Sequence, residues 1–256
     1  MNKKYFFFDI DGTLTDNATK EMVPSAMEAV KKLRKAGHFV SIATGRANYK
    51  AESFRAKYGF ENMVCNGGHG IYYEGALKEN RPIDHEKALA VYRQALELGY
   101  GVLVAIDDSP KVYANSFRFY ETAGIRKEQT VYVVDENFDP AEELIYKLYV
   151  AIPEDEEERL TLKDTVGHLR FQKEYLMFQA DEKKDGILKM LEYAGGKIED
   201  VVVFGDDYND LCMFDERFYC VAMGNACDAL KEKADFVADK NVEDGIYKAC
   251  ELHNWF

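Results

Sequence analysis

YFFFDIDGT, residues 5–13, carries the reading of the fold. Four aromatic residues run from Tyr5 to Phe8, and the run closes at Asp9, Ile10 and an Asp-Gly-Thr turn signal. A short apolar run bounded by a turn suits a strand buried on both faces of a parallel sheet. Just beyond it, Met22, Ala26, Ala29, Val30 and Leu33 recur at helical spacing, and Gly37 stands where a C-terminal cap belongs. Residues 39–43 form a second predicted strand that ends at Thr44-Gly45-Arg46. A predicted helix over 47–58 leads to a third strand at 63–65, which ends at Asn66-Gly67-Gly68. Strands and helices in alternation predict an α/β fold, a doubly wound parallel sheet with a Rossmann-like core.

The pattern changes near Arg81-Pro82. Helices are predicted over 87–98, 141–146 and, as a charged and solvated element, 154–164. Strands are predicted over 100–107, 130–135, 148–152, 169–171 and 175–178. Residues 82–180 therefore read as an inserted α+β domain of ordinary size. The first pattern then returns, with a helix over 185–193, a strand over 201–204 that ends at GDDYND (205–210), and strands at 220–223 and 236–238. Residues 1–81 and 181–256 are expected to form one sheet domain, interrupted by the insert.

Composition narrows the partners. The 256 residues carry a formal charge of −13, which repels nucleic acid and anionic membranes. A small phosphorylated metabolite remains compatible, because a metal or a local set of donors can reverse the field in one cleft. The five cysteines, at 65, 212, 220, 227 and 250, show no CxxC spacing and read as buried thiols in a reducing compartment. The apolar run before Asp9 is shorter than the roughly 7–15 residues of a signal-peptide core. No stretch approaches the ~18 apolar residues of a membrane span. The expected location is cytoplasmic.

Three predicted strands end on polar clusters: Asp9 with Asp11, Thr44 to Arg46, and Gly205 to Asp210. Carboxyl ends of strands in an open parallel sheet line one crevice, so clusters distant in sequence can meet there. Asp9 and Asp11, two apart in an extended segment, are expected to point the same way. With Asp206, Asp207 and Asp210 they would put several carboxylates near one point, where a hard cation is the natural occupant. Magnesium prefers oxygen ligands in octahedral geometry. Each cluster also has a plainer reading: DIDGT as a turn, Thr44-Gly45 as a helix cap, Lys184 as part of a solvated face. A calcium loop at GDDYND lacks the acid that closes a 12-residue loop.

Together DIDGTLT (9–15), ATGR (43–46), Lys184 and GDDYND (205–210) resemble the four motifs of the haloacid dehalogenase superfamily. MGNA (223–226) and ADFVADKNVEDGI (234–246) resemble its Cof-type phosphatases, and the insert between the second and third motifs resembles their type II, subclass B cap. The resemblance implies a magnesium-dependent phosphatase acting on a small phosphate monoester such as a sugar phosphate. It implies that Asp9 is the nucleophile and Asp11 the general acid and base. Asp9, the Asp11 carbonyl, Asp206 and Asp210 would serve the magnesium. Thr44, the Gly45 amide, Lys184 and Asn209 would bind phosphate, and Lys183 competes with Lys184 for that role. Arg46 and residues 107–118 are candidates for substrate choice. A hexose phosphomutase or a non-catalytic ligand-binding regulator on the same fold would share most of these residues.

Overall fold

Tyr5–Phe8 forms β1 at the middle of a sheet, and its four side chains are all buried. In the computed structural model, which describes residues 2–126 and 130–256, the chain divides into two units. The first comprises the chain up to Arg46 with Ala51–Glu79 and Glu182–Phe256; the second comprises Ala47–Lys50 and Asn80–Asp181. After β1 the chain makes α1 (Pro24–Lys35), β2 (Phe39–Ala43), α2 (Asn48–Lys57), β3 (Met63–Cys65), β4 (Gly70–Tyr73) and β5 (Ala76–Asn80). The insert holds α3 (His85–Glu97), β6 (Val102–Ala105), β7 (Lys111–Ala114), α4 (Arg118–Ala123), β8 (Val131–Val134), β9 (Lys147–Val150), β10 (His168–Gln172) and β11 (Tyr175–Phe178). The chain returns through α5 (Lys183–Ala194), β12 (Val201–Gly205), β13 (Tyr219–Ala222), α6 (Asp228–Lys233), β14 (Phe236–Val237) and α7 (Gly245–Leu252).

Among the described residues the first unit has an eight-stranded sheet in the order β14-β13-β12-β1-β2-β3-β4-β5. The strands from β14 to β3 pair in parallel, and β4 turns back antiparallel on β3. The period of two sends alternate residues of β1 to opposite faces. Phe6 and Phe8 join Ala26, Ala29, Val30 and Leu33 of α1 and Ile246, Ala249 and Cys250 of α7. Tyr5 and Phe7 join Ile187, Met190 and Leu191 of α5. Each fully buried aromatic contributes about 1.5–3 kcal/mol by leaving water, so this strand is a large part of both layers.

The second unit has its own sheet, ordered β10-β11-β9-β6-β7-β8. The pairs from β10 to β7 are antiparallel, and β7 and β8 run parallel. Val102 and Val104 face α3, while Leu103 between them packs with Phe119 of α4, Tyr149 and Met177. No helix among the described residues is long and apolar enough to cross a membrane.

Several elements differ from expectation. Residues 141–146 are not helical beyond the single 3-10 turn Pro140–Glu142. Leu144 is exposed while Ile145 is buried, and the backbones of Ile145 and Tyr146 bond to Ile83 and Ala105, which is strand-like alternation. Residues 154–164 form the 3-10 turns Glu154–Arg159 and Lys163–Thr165. That stretch has Leu160 as its one fully buried apolar residue, too little for the stripe that holds a helix against a core. The β4–β5 hairpin, β7 and α4 were not expected. The hairpin turns at Glu74-Gly75, both at positive φ, a conformation favourable to Gly75 and strained for Glu74.

Candidate active site

In the sheet register Phe8 lies opposite Phe204, so β1 and β12 end side by side. The Asp9 amide continues the pairing, donating to the Phe204 carbonyl at 3.0 Å. Asp9 therefore leaves the sheet beside Gly205, and Asp206 follows one residue later. Asp9 is 4% exposed, Asp206 8% and Asp210 0%, and one carboxylate oxygen from each lies within 4.8 Å of the others. Lys183, the first residue of α5 and 1% exposed, aims its ammonium into this group. Its Nζ donates to Asp9 Oδ1 at 2.8 Å and to Asp210 Oδ1 at 2.6 Å. Asp210 Oδ2 accepts from the amides of Asp206 at 2.9 Å and Asp207 at 3.3 Å, and Thr13 Oγ1 donates to Asp206 Oδ1 at 2.8 Å.

Three carboxylates share this buried space with one ammonium, which bonds to two of them, a formal excess of acid over base. Burial and the Asp210 charge push the Asp9 carboxyl well above the usual carboxylate range, more than Lys183 draws it down. Burial, then Asp210, raises Asp206 to about 7. Burial pushes the Lys183 ammonium down, but Asp210 and Asp9 more than offset it and hold it charged. Such an excess is costly unless a further cation balances it. A divalent ion that takes carboxylate oxygens fits both the charge and the donor set. Gly12 makes room for this packing: its φ is +83°, and a Cβ there would lie 2.1 Å from Asp206 Oδ2.

The family model of the haloacid dehalogenase-like hydrolases matches residues 6–250. The chain belongs to that family. YkrA of Bacillus subtilis (strain 168) is 30% identical over 98% of each chain. The pyridoxal phosphate phosphatase YbhA of Escherichia coli (strain K12) is 28% identical over 99% of each. The solved structure of a subclass IIB sugar phosphatase superposes with a TM-score of 0.80, at 25% identity, over 99% of this chain and all of that one. Within the haloacid dehalogenase-like hydrolases this chain is a Cof-type phosphatase of subclass IIB.

This phosphatase brings together Asp9, Asp206 and Asp210, and it places other expected residues elsewhere. The lysine inside the carboxylate group is Lys183, not Lys184. Lys184 is 37% exposed in its side chain and sits 3.5 Å from Asp215. Successive residues of a helix point about 100° apart, so one of the two neighbours must turn away. Asp11 does not point with Asp9. The chain curls after β1, with the amide and hydroxyl of Thr15 both bonding to the Ile10 carbonyl at 2.9 Å, and Asp11 emerges exposed. Arg46 holds it in a fork, Nε to Oδ2 at 2.8 Å and Nη2 to Oδ1 at 2.6 Å. Asp207 is also outside the group: exposed, it caps the 3-10 turn Tyr208–Met213.

Thr44 is buried one residue past β2, with its hydroxyl accepting from the Arg46 amide at 3.2 Å. Gly45 and, on the 3-10 turn, Asn209 are half-buried. Two further residues had no assigned part. Asn225 Nδ2 donates to the Gly12 carbonyl at 2.9 Å and reaches Asp206 Oδ2 at 3.4 Å. The buried Asn241 donates its amide to Asn225 Oδ1 at 3.0 Å and its side chain to the Thr15 carbonyl at 2.7 Å. Their only sequence signal was membership of MGNA and DKN, both neutral amides beside turn residues.

Proposed function

We propose that the chain is a magnesium-dependent phosphatase that hydrolyses a small phosphate monoester through an aspartyl-phosphate on Asp9. One observation carries the reading: oxygens of Asp9, Asp206 and Asp210 lie within 4.8 Å of one another beside the ends of β1 and β12, with Lys183 bonded to Asp9 and Asp210, so acid groups outnumber the base. Asp9 and Asp206, with the Asp11 carbonyl and Asp210, would hold magnesium. Bound there, the ion would neutralise charge on the phosphoryl oxygens. An Asp9 oxygen attacks phosphorus as the ester oxygen departs, and Asp11 protonates that leaving oxygen. Asp11 then takes a proton from water, which attacks the acyl phosphate and frees phosphate and Asp9. Lys183 faces the attacking carboxylate and stabilises charge as it shifts to the phosphoryl group, with Thr44, the Gly45 amide and Asn209 as further donors. Both Asp11 oxygens are engaged by Arg46, so Asp11 serves a substrate only after that fork opens.

Pyridoxal phosphate and a sugar phosphate, the substrates in two relatives' names, are both small phosphate esters, and we propose a substrate of that class here. A cytoplasmic setting is supported by five free cysteines, which suit a reducing compartment. The test is phosphate release from a panel of small esters with and without magnesium, for the native chain and Asp9→Asn. Magnesium-dependent release that falls by several orders of magnitude in the folded variant is expected. Release that survives in Asp9→Asn, or in excess chelator, would overturn the assignment.

A further inference from the structure

The last segment of the first unit reaches the candidate metal group through two asparagines. Asp206 is gripped at both oxygens: Thr13 donates to Oδ1 at 2.8 Å, and Asn225 approaches Oδ2 at 3.4 Å. The same Asn225 amide donates to the Gly12 carbonyl at 2.9 Å, so one side chain ties the loop after β1 to the carboxylate after β12. These two pieces already press together, since Asp206 Oδ2 fills the space of a Cβ at Gly12. Asn225 is exposed, and a free amide at such a position would sample several rotamers. Its Oδ1 is held instead by the amide of the buried Asn241 at 3.0 Å. Asn241 is anchored in turn to the Thr15 carbonyl at 2.7 Å and accepts from the Val242 amide at 2.9 Å. Gly224 and Gly245 let the backbones close up: a Cβ on Gly224 would meet Lys240 N at 2.6 Å, and one on Gly245 would meet Asp239 O at 2.1 Å.

We propose that Asn225, braced by Asn241, is a positioning residue that sets the spacing between the Asp9 loop and the Asp206 carboxylate, and so the affinity for magnesium. The inference rests on the reading of Asp9, Asp206 and Asp210 as a magnesium site. Magnesium demands near-ideal octahedral geometry, whereas calcium accepts a longer and more flexible oxygen shell. A side chain that only sets ligand spacing should therefore matter more for magnesium than for calcium. Residues that hold metal ligands from behind typically change affinity by about 10–100-fold when removed.

The experiment is calorimetric titration of the full chain with magnesium and, separately, calcium, for the native protein, Asn225→Ala and Asn225→Leu. Leucine keeps the branching of asparagine without its amide, and the exposed position has room for either side chain. Unfolding temperatures in chelator accompany each titration. The expected result is a magnesium Kd about 10–100-fold weaker in both variants, a smaller loss for calcium, and an unfolding temperature in chelator lowered only modestly, as loss of the Asn241 and Gly12 bonds requires. Asn241→Ala, which reaches Asp206 only through Asn225 and the Thr15 loop, should shift magnesium binding the same way by less. Native magnesium affinity in the Asn225 variants would overturn the proposal and leave the phosphatase reading standing. Equal losses for both ions with a steeply lowered unfolding temperature would reduce Asn225 to a structural brace and also overturn it. A native chain that binds no magnesium would overturn the reading of the site, and this inference with it.

Discussion

Lys183 carries its ammonium to within 2.8 Å of Asp9 and 2.6 Å of Asp210, while Lys184 meets Asp215 at 3.5 Å with its side chain 37% exposed. Removing the first leaves buried carboxylates without their cation, a change that costs about 3–5 kcal/mol. Removing the second deletes a 3.5 Å pair whose lysine is in solvent, worth about 0–1 kcal/mol. Lys183→Met is therefore expected to unfold several degrees lower and to lose at least about a hundredfold in turnover, and Lys184→Met to stay near native in both. Equal effects in parallel unfolding and phosphate-release assays would contradict the assignment of Lys183. The Asp206 carboxyl makes a second residue-scale prediction. It is raised to about 7, whereas an unfolded aspartate titrates near ~3.9. Without a cation, the folded chain holds this proton where the unfolded chain has released it. The stability it supplies is complete below about pH 4 and is lost as pH rises towards 7. Magnesium bound as proposed would have to displace the same proton, so its affinity is expected to fall as pH drops below about 7. The gain in unfolding temperature on adding magnesium should be larger at about pH 8 than at about pH 6; a gain independent of pH would count against Asp206 as a ligand.

At the scale of elements, the N-terminus of α5 is placed by the loop that follows β3. The Glu182 amide donates to the Gly67 carbonyl at 2.7 Å, and His69 Nε2 lies 3.0 Å from the Glu182 carboxylate. Gly68, at φ +109°, leaves no room for a Cβ, which would fall 2.0 Å from the Glu182 carbonyl. Gly68→Ala must push α5 back and carry Lys183 with it. We expect a loss of about 1–3 kcal/mol in stability from backbone strain, with reduced turnover, measured by denaturant unfolding and phosphate release. Native turnover in that variant would show that the loop does not place Lys183. The strands that support this arrangement were legible in the residues themselves: YFFF and VVVF are apolar at every position because both faces of a central parallel strand are covered. Asp9 and Asp206 were legible for the same reason, being the first carboxylates past those runs. Residues 141–146 and 154–164 were not, because charged composition suggested helices where tertiary packing chose an extended segment and 3-10 turns. Nor could the run DEKKD reveal which lysine turns inward, since helix phase depends on where α5 begins. Asn225 and Asn241 carry no charge to mark them, and their part is set by contacts across more than 200 residues of chain.

At the scale of the whole molecule, each unit has its own core, and all of the carboxylate group and Lys183 belongs to the first. A ligand that binds only the folded state stabilises it by mass action, about 2.7 kcal/mol at a concentration one hundred times Kd. That gain is distributed over whatever must unfold or open to release the ligand. Magnesium should therefore slow amide exchange in β1 and β12, which lead directly into Asp9 and Asp206, and in the first turns of α5, which begins at Lys183. The strands β6, β9 and β11 of the second unit rest on α3 and their own apolar layer, and they contain none of the three carboxylates or Lys183. Hydrogen exchange read by mass spectrometry, with magnesium against chelator, would check this directly. Protection confined to segments of the first unit is the expected outcome. Equal protection in β6, β9 and β11 would mean that the two units open as one cooperative body, and that the ion's effect is not local to the strands that hold its ligands.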